Sequence, residues 1–141
     1  MKKSTEELLE ILKSHKDYDD FLTEQSSEMY FGSAAEYLEM LIHNKKLSKS
    51  KIIKAGNLDK NYAYQIFKGT KTNPSRNKVI MIAIGMELNI EETQKLLKLF
   101  SLSPLYAKLH RDSVILHCIF NGKSLIETNE MLNDYELELL E

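Results

Sequence analysis

Ser4 with Glu7, Ser33 with Glu36, Asn89 with Glu92, and Ser124 with Glu127 each set a serine or asparagine three residues ahead of a glutamate and just before an apolar run. In this capping-box pattern the side-chain oxygen accepts from an orphan amide of the first turn, and the carboxylate reaches back to the cap amide. Each pair therefore marks a helix start, and apolar residues follow at helical spacing. Leu8, Leu9, Ile11 and Leu12 give one apolar face to a helix of about 4–14, and Ala34, Leu38, Leu41 and Ile42 do the same for 33–45. Only two prolines and five glycines interrupt 141 residues. Leu, Glu, Lys and Met, all good helix formers, dominate the rest. Nothing alternates with period two over a useful length, so no sheet is expected and the fold class is all-α.

The remaining elements follow from their punctuation. Phe21 and Leu22 fall in a short segment after Asp17–Asp20. Two short helices, about 48–55 and 59–68, are joined through Gly56-Asn57-Leu58. Asn57 stands where a left-handed backbone is needed, which Asn tolerates better than most non-glycines. Asp59 caps the second of the pair and Gly69 ends it. Pro74 is expected to open a helix carrying Val79, Ile82, Ala83 and Met86, and another runs over 90–100 with Leu96, Leu97 and Phe100 facing inward. Ser103-Pro104 is expected to start a last pair, 105–120 and 125–133, hinged at Asn121-Gly122.

The length and the 43% apolar content suit one compact domain with a small appendage. Met1-Lys2-Lys3 is followed by Ser4, Thr5, Glu6 and Glu7 where a signal peptide needs an apolar run. No stretch approaches the roughly 18 apolar residues of a membrane span. One cysteine, Cys118, excludes an internal disulfide and a thiolate zinc cluster. The chain reads as a cytoplasmic protein with no membrane association.

Charge divides the chain into three. Between Asn44 and Lys78 ten basic residues face one acid, Asp59, for a net +9; residues 1–43 carry −6 and residues 79–141 carry −5. The near-neutral total of −2 hides a focused positive field. Such a field usually meets phosphate, whose condensed counterions are released when lysine or arginine replaces them.

The segment Leu47–Gly69, LSKSKIIKAGNLDKNYAYQIFKG, resembles the helix-turn-helix of the phage-repressor-like (XRE, Cro/cI-type) DNA-binding family. The likeness continues through Lys71-Thr72-Asn73-Pro74-Ser75 and the apolar run Val79–Ala83, and covers about residues 33–100. Leu47, the Ser48 cap, Lys49, Ile53, Asn57, the helix 59–68 with Ala63 and Ile66 inside it, and Gly69 occupy the family's positions. Three of them depart from its habit. Ile53 stands for an alanine where the two helices touch, Asn57 for a turn glycine, and Lys49 for the glutamine that clamps a phosphate.

The resemblance implies a lambda-repressor-like helix-turn-helix bundle with extra N-terminal and C-terminal helices. The expected organisation is a helical extension over 1–32, a DNA-binding domain over 33–103, and a C-terminal helical pair over 104–141 that serves dimerisation or a partner. It also implies double-stranded DNA as ligand, a homodimer as the working unit, and no cofactor.

A helical wheel gives the same picture without the name. With Lys60 at zero and 100° per residue, Tyr64, Lys68, Asn61 and Gln65 fall between about 40° and 140°. Ala63, Ile66 and Phe67 fall on the opposite arc, and Tyr62 on the boundary. One face is long and hydrogen-bonding, and the other can anchor the helix. Gln65 or Asn61 can bond adenine bidentately and Lys60 can reach guanine acceptors, while Tyr64 points outward toward a thymine methyl or a phosphate. Lys49 and Lys71 are placed for backbone phosphate together with Ser48, and Lys68 can serve either purpose.

Other motifs fail on inspection. Asn121-Gly122-Lys123-Ser124 mimics the end of a P-loop, but His117 stands where its first glycine belongs. His110, His117 and Cys118 lack a fourth ligand, and Cys118 sits in an apolar run. No nucleophile–base set or carboxylate pair is placed by a recognisable motif, so the chain is not expected to be an enzyme. Asp17–Asp20 and Glu136–Glu141 read as solvated acidic ends that can also repel DNA. Leu105, Leu109, Val114, Leu116, Ile119 and Phe120 offer apolar surface for a second copy. The leading function is a sequence-specific transcriptional repressor. The alternative is the same scaffold used as a protein-interaction module, antitoxin-like or an inhibitor or adaptor, with its partner held at the termini.

Overall fold

The computed structural model describes residues 4–14, 18 and 32–141. Every regular element among them is an α-helix, so the all-α expectation holds. Packing divides the chain into two units, Met1–Phe31 and Gly32–Glu141. The first contains α1 (Thr5–Ser14), capped where the sequence indicates by Ser4, whose hydroxyl accepts from the Glu7 amide at 3.1 Å. The segment expected at Phe21 and Leu22, and the acids Asp17, Asp19 and Asp20, lie outside the described residues.

The second unit contains α2 (Ala34–Asn44), α3 (Lys49–Ala55), α4 (Lys60–Lys68), α5 (Arg76–Gly85), α6 (Ile90–Leu99), α7 (His110–Phe120) and α8 (Leu125–Asp134). Its centre is α5, where Val79, Ile80, Met81, Ile82 and Ala83 are all buried. A helix apolar on every side must be surrounded, and α5 packs against α3, α6 and α8. Fully burying each of its larger side chains contributes about 1.5–3 kcal/mol before ordering entropy is subtracted. Helix α2 rests on α4 and α6, and α7 on α6 and α8.

The helix ends share a device. Lys46, Asn57, Glu87, Ser101 and Glu136 all have positive φ, between 50° and 59°, and a leucine follows each. In every case the leucine amide reaches back five residues: Leu47 to the Ile42 carbonyl (2.9 Å), Leu58 to Ile53 (2.9 Å), Leu88 to Ala83 (3.0 Å), Leu102 to Leu97 (2.9 Å) and Leu137 to Leu132 (2.9 Å). This is the Schellman closure, which satisfies an orphan carbonyl and folds an apolar side chain back over the last turn. Leu58 and Leu88 are buried as a result. Only at Asn57 does the sequence carry an overt sign of it.

Between α3 and α5 the backbones nearly touch. A Cβ on Gly85 would lie 2.7 Å from the Ile52 carbonyl oxygen and 3.0 Å from the Gly56 amide nitrogen; one on Gly56 would lie 2.9 Å from the Met81 carbonyl oxygen. The small residues that matter for packing α3 are thus Gly56 and Gly85. Ile52, 1% exposed, is the inward residue of α3, whereas Ile53 is only half-buried.

Three expectations need correction. Pro74 does not open α5; Ser75 caps it and the helix begins at Arg76. The last pair begins at His110, not at 105, because side chains from elsewhere occupy the backbone of the connecting segment. The Gln94 amide bonds both the Leu105 carbonyl (2.8 Å) and the Leu105 amide (2.7 Å). Arg76 donates to the Ser103 (3.0 Å) and Pro104 (2.9 Å) carbonyls, and the Tyr106 amide donates to Asp112 (2.9 Å). Groups so engaged are not available to a helical ladder. Finally, the C-terminal acids Glu136, Glu138 and Glu141 are solvent-exposed as expected, but the stretch that carries them is not a loose end. Asn129 pairs with both backbone groups of Leu140 (2.8 and 3.0 Å), Arg111 donates to the Glu138 carbonyl (2.8 Å), and Leu140 is 2% exposed.

Among the described residues no helix is long and apolar enough to cross a membrane.

Candidate nucleic-acid interface

The site is built on α3 and α4. Ser48 caps α3, accepting from the Lys51 amide at a long 3.5 Å while lying 2.9 Å from the Ser50 hydroxyl. The left-handed Asn57 turns the chain, and Asp59 caps α4 by accepting from the Tyr62 amide at 2.9 Å. Gly69, at φ 84°, closes α4; a side chain there would be strained and would press on Ala35 of α2. Thr70 and Lys71 then turn their amides onto the Gln65 carbonyl (3.0 and 3.1 Å), which fixes where Lys71 leaves the helix.

Ala63, Ile66 and Phe67 are buried on the inner face of α4, as the wheel requires. Lys60, Asn61, Gln65 and Lys68 are exposed on the outer face, and Tyr64 is half-buried among them. The Tyr64 ring meets Phe67 edge-on, with centroids 6.3 Å apart, so the core holds its phenol. Tyr62, at the wheel boundary, is half-buried beneath the Lys71 ammonium, which lies 5.5 Å from the ring centre. That contact draws Lys71 toward α4.

Beside α4 lies an open groove of about 720 Å³, where the end of α2 meets the start of α3. His43, Lys46, Ser48, Lys49, Ser50 and Tyr64 are among its lining. A second, smaller groove lies between α3 and α4, lined by Ile53, Leu58, Tyr64, Lys54 and Lys60. Tyr64 and Ser50 line both. Hydroxyls, ammonium groups and an aromatic face therefore share one surface, which suits a polyanion carrying planar bases.

The positive field is smaller than the residue count suggests. Among the described residues, three of the ten basic side chains are held by acids from the flanking regions. Lys45 pairs with Glu92 at 3.1 Å, Lys49 with Glu39 at 2.8 Å, and Arg76 with Asp112 at 2.8 Å. The Arg76 contact is two-pronged, 2.9 and 2.8 Å to the two carboxylate oxygens, and fastens α5 to α7. Burial pushes the Asp112 carboxyl up, but hydrogen bonds from Arg76 and the Tyr106 amide, with the charges of Arg76 and Arg111, outweigh it and hold its pKa below the usual carboxylate range. Asp112 and Arg76 thus belong to the scaffold. No local pattern in the sequence signals these partnerships, because the partners are ten to 47 residues apart.

Of the expected phosphate contacts, Ser48 and Lys49 border the larger groove together with Tyr64, while Lys68 and Lys71 lie at the far end of α4. The residues expected to contact bases, Lys60, Asn61, Tyr64 and Gln65, share one helix face. Elsewhere, His110 packs edge-on against Tyr135 with centroids 5.2 Å apart, and Cys118 is buried with its sulfur 3.7 Å from that of Met131. Among the described residues no group of three or more His, Cys, Asp or Glu side chains could hold a metal ion. Compared with known proteins, the chain matches no family model, and no curated protein or solved structure is significantly similar to it.

Proposed function

We propose that this chain is a sequence-specific DNA-binding transcriptional regulator, acting as a repressor, and that α3 and α4 form a helix-turn-helix of the phage-repressor-like type. The supporting observation is the face of α4: Lys60, Asn61 and Gln65 are solvent-exposed on a rod whose opposite face is fixed in the core. With its side chains an α-helix is about 10–12 Å across, commensurate with a major groove about 12 Å wide. Lys60, Asn61, Tyr64 and Gln65 read base edges, each good contact contributing about 1–3 kcal/mol of discrimination. Ser48, Lys49, Lys68 and Lys71 hold the backbone and set the position. Occupying an operator needs no cofactor and no catalytic step, and it places the protein in the cytoplasm with the DNA.

One such helix spans only a few base pairs, so two copies on half-sites about one helical turn apart complete the function. Phe120 and Ile126, 76% and 72% exposed on either side of the α7–α8 turn, are apolar residues available for that contact. Of the apolar residues that the sequence offers for a second copy, Leu109 and Phe120 remain outside while Leu105 and Val114 are in the core. The same exposed pair favours a second reading, in which the scaffold docks a protein partner.

The test is selection of bound duplexes from a random pool. A preferred, palindromic site is expected, and Lys60→Ala with Gln65→Ala should erase the preference while weak nonspecific binding survives. Preference that persists in the double variant removes α4 as the reading helix.

A further inference from the structure

Lys49, proposed above as a phosphate contact, already has an anion. Its Nζ lies 2.8 Å from Glu39 Oε1, across the gap between α3 and α2. The same ammonium sits 5.8 Å from the centre of the Phe67 ring, which is buried on α4. Three helices therefore converge on one cation. The pair borders the large open groove beside Ser48 and Ser50, where a phosphodiester would enter. Both side chains retain solvent, 34% for Lys49 and 51% for Glu39, so the contact can open without unfolding anything.

We propose that Glu39 is an internal competitor for backbone phosphate: its carboxylate occupies the Lys49 ammonium until a phosphodiester of bound duplex displaces it. The inference rests on the DNA-binding reading above and adds a regulatory residue to it. An ammonium offers three donors, but a phosphate brought to Lys49 would also approach the Glu39 carboxylate, and two anions at that range repel. Binding therefore exchanges one charge pair for another, and the net gain from Lys49 is smaller than from an unpaired lysine. The exchange is blind to base sequence. Glu39 thus lowers affinity for every duplex alike and leaves the ratio of specific to nonspecific binding unchanged. Its effect falls on the phosphate-contact term that specific and nonspecific binding share.

Four proteins test this: wild type, Glu39→Gln, Lys49→Ala and the double variant, each titrated with a selected and a random duplex across 50–200 mM salt. Glu39→Gln is expected to tighten both duplexes by about two- to fivefold, the range of an exposed ion pair, and to steepen the logarithmic salt slope by up to about 0.9. In the Lys49→Ala background the same substitution should change neither quantity by more than experimental scatter. Equal tightening in both backgrounds would show a general charge effect and overturn the competition between Glu39 and phosphate. No change in either background, with wild type binding well, overturns it too while sparing the DNA-binding reading. Absence of salt-dependent duplex binding by all four proteins sinks both together.

Discussion

Removing the Asp112 carboxylate should be the most damaging polar substitution in the helical unit. Asp112 is 3% exposed and accepts three hydrogen bonds, two from Arg76 and one from the Tyr106 amide. Truncating one partner of a buried pair costs about 3–5 kcal/mol when the other charge is left stranded. Arg76 would not be wholly stranded: its side chain is 24% exposed and keeps the Ser103 and Pro104 carbonyls. The expected loss for Asp112→Ala is therefore smaller, about 2–3 kcal/mol. Urea denaturation followed by circular dichroism reads it as a midpoint lowered by roughly 1–2 M with an unchanged slope.

The pH dependence supplies a second arm. Because the folded carboxyl titrates below its ordinary value of about 3.9, its contribution is fully present above that pH and is lost as pH falls through the lower folded value. Wild type should lose stability below about pH 4 through this group, and Asp112→Asn should lack that component. A midpoint shift under 0.5 M for Asp112→Ala, roughly a quarter to a half of the expected value, would refute the idea that this carboxylate joins α5 to α7.

Three further outcomes follow from the packing. Gly85→Ala places a methyl 2.7 Å from the Ile52 carbonyl and should destabilise by about 1–3 kcal/mol in thermal or urea melts, despite alanine's better helix propensity; a neutral result would mean α3 and α5 separate freely. Glu87→Gly should stabilise by about 0.5–1 kcal/mol, since it relieves a left-handed non-glycine residue at an exposed helix end; a loss would show that the Glu87 side chain has a role of its own. Leu140→Ala should cost about 2–4 kcal/mol and raise hydrogen exchange at Leu140 and its neighbours; an unaffected melt would return the C-terminal residues to a solvated tail.

What the sequence makes legible is local. Caps at Ser33, Ser48, Asp59, Asn89 and Ser124, and the end at Gly69, involve residues within one turn of each other, and the structure has them where the sequence marks them. The two faces of α4 are legible for the same reason, since nine residues fix their own angular order. What stays hidden is non-local. The segment 105–109 carries helix-compatible residues, yet Gln94 and Asp112 claim its first backbone groups, and Arg76 holds the Ser103 and Pro104 carbonyls just before it, from positions distant in sequence or on the next element. The Asn129–Leu140 pairing holds down a stretch that composition alone makes look acidic and free. Likewise the ten basic residues 45–78 form a single patch on paper, whereas Glu39, Glu92 and Asp112 fold back onto three of them. The leucine after each left-handed residue is a local signal as well, but without glycine before it the pattern does not stand out.

If α4 lies in the groove, Lys49, Lys68 and Lys71 grip the phosphates on either side of it. Fluorescence anisotropy of a labelled random duplex, titrated with the full chain between 50 and 200 mM salt, counts those contacts. The expected result is a logarithmic slope between about −2 and −3 per bound chain, about 0.9 for each of Lys68 and Lys71 and less for Lys49, which Glu39 holds, flattened by close to one unit in Lys71→Ala. Binding that ignores salt, or a Lys71→Ala slope identical to wild type, would show that these lysines do not hold DNA.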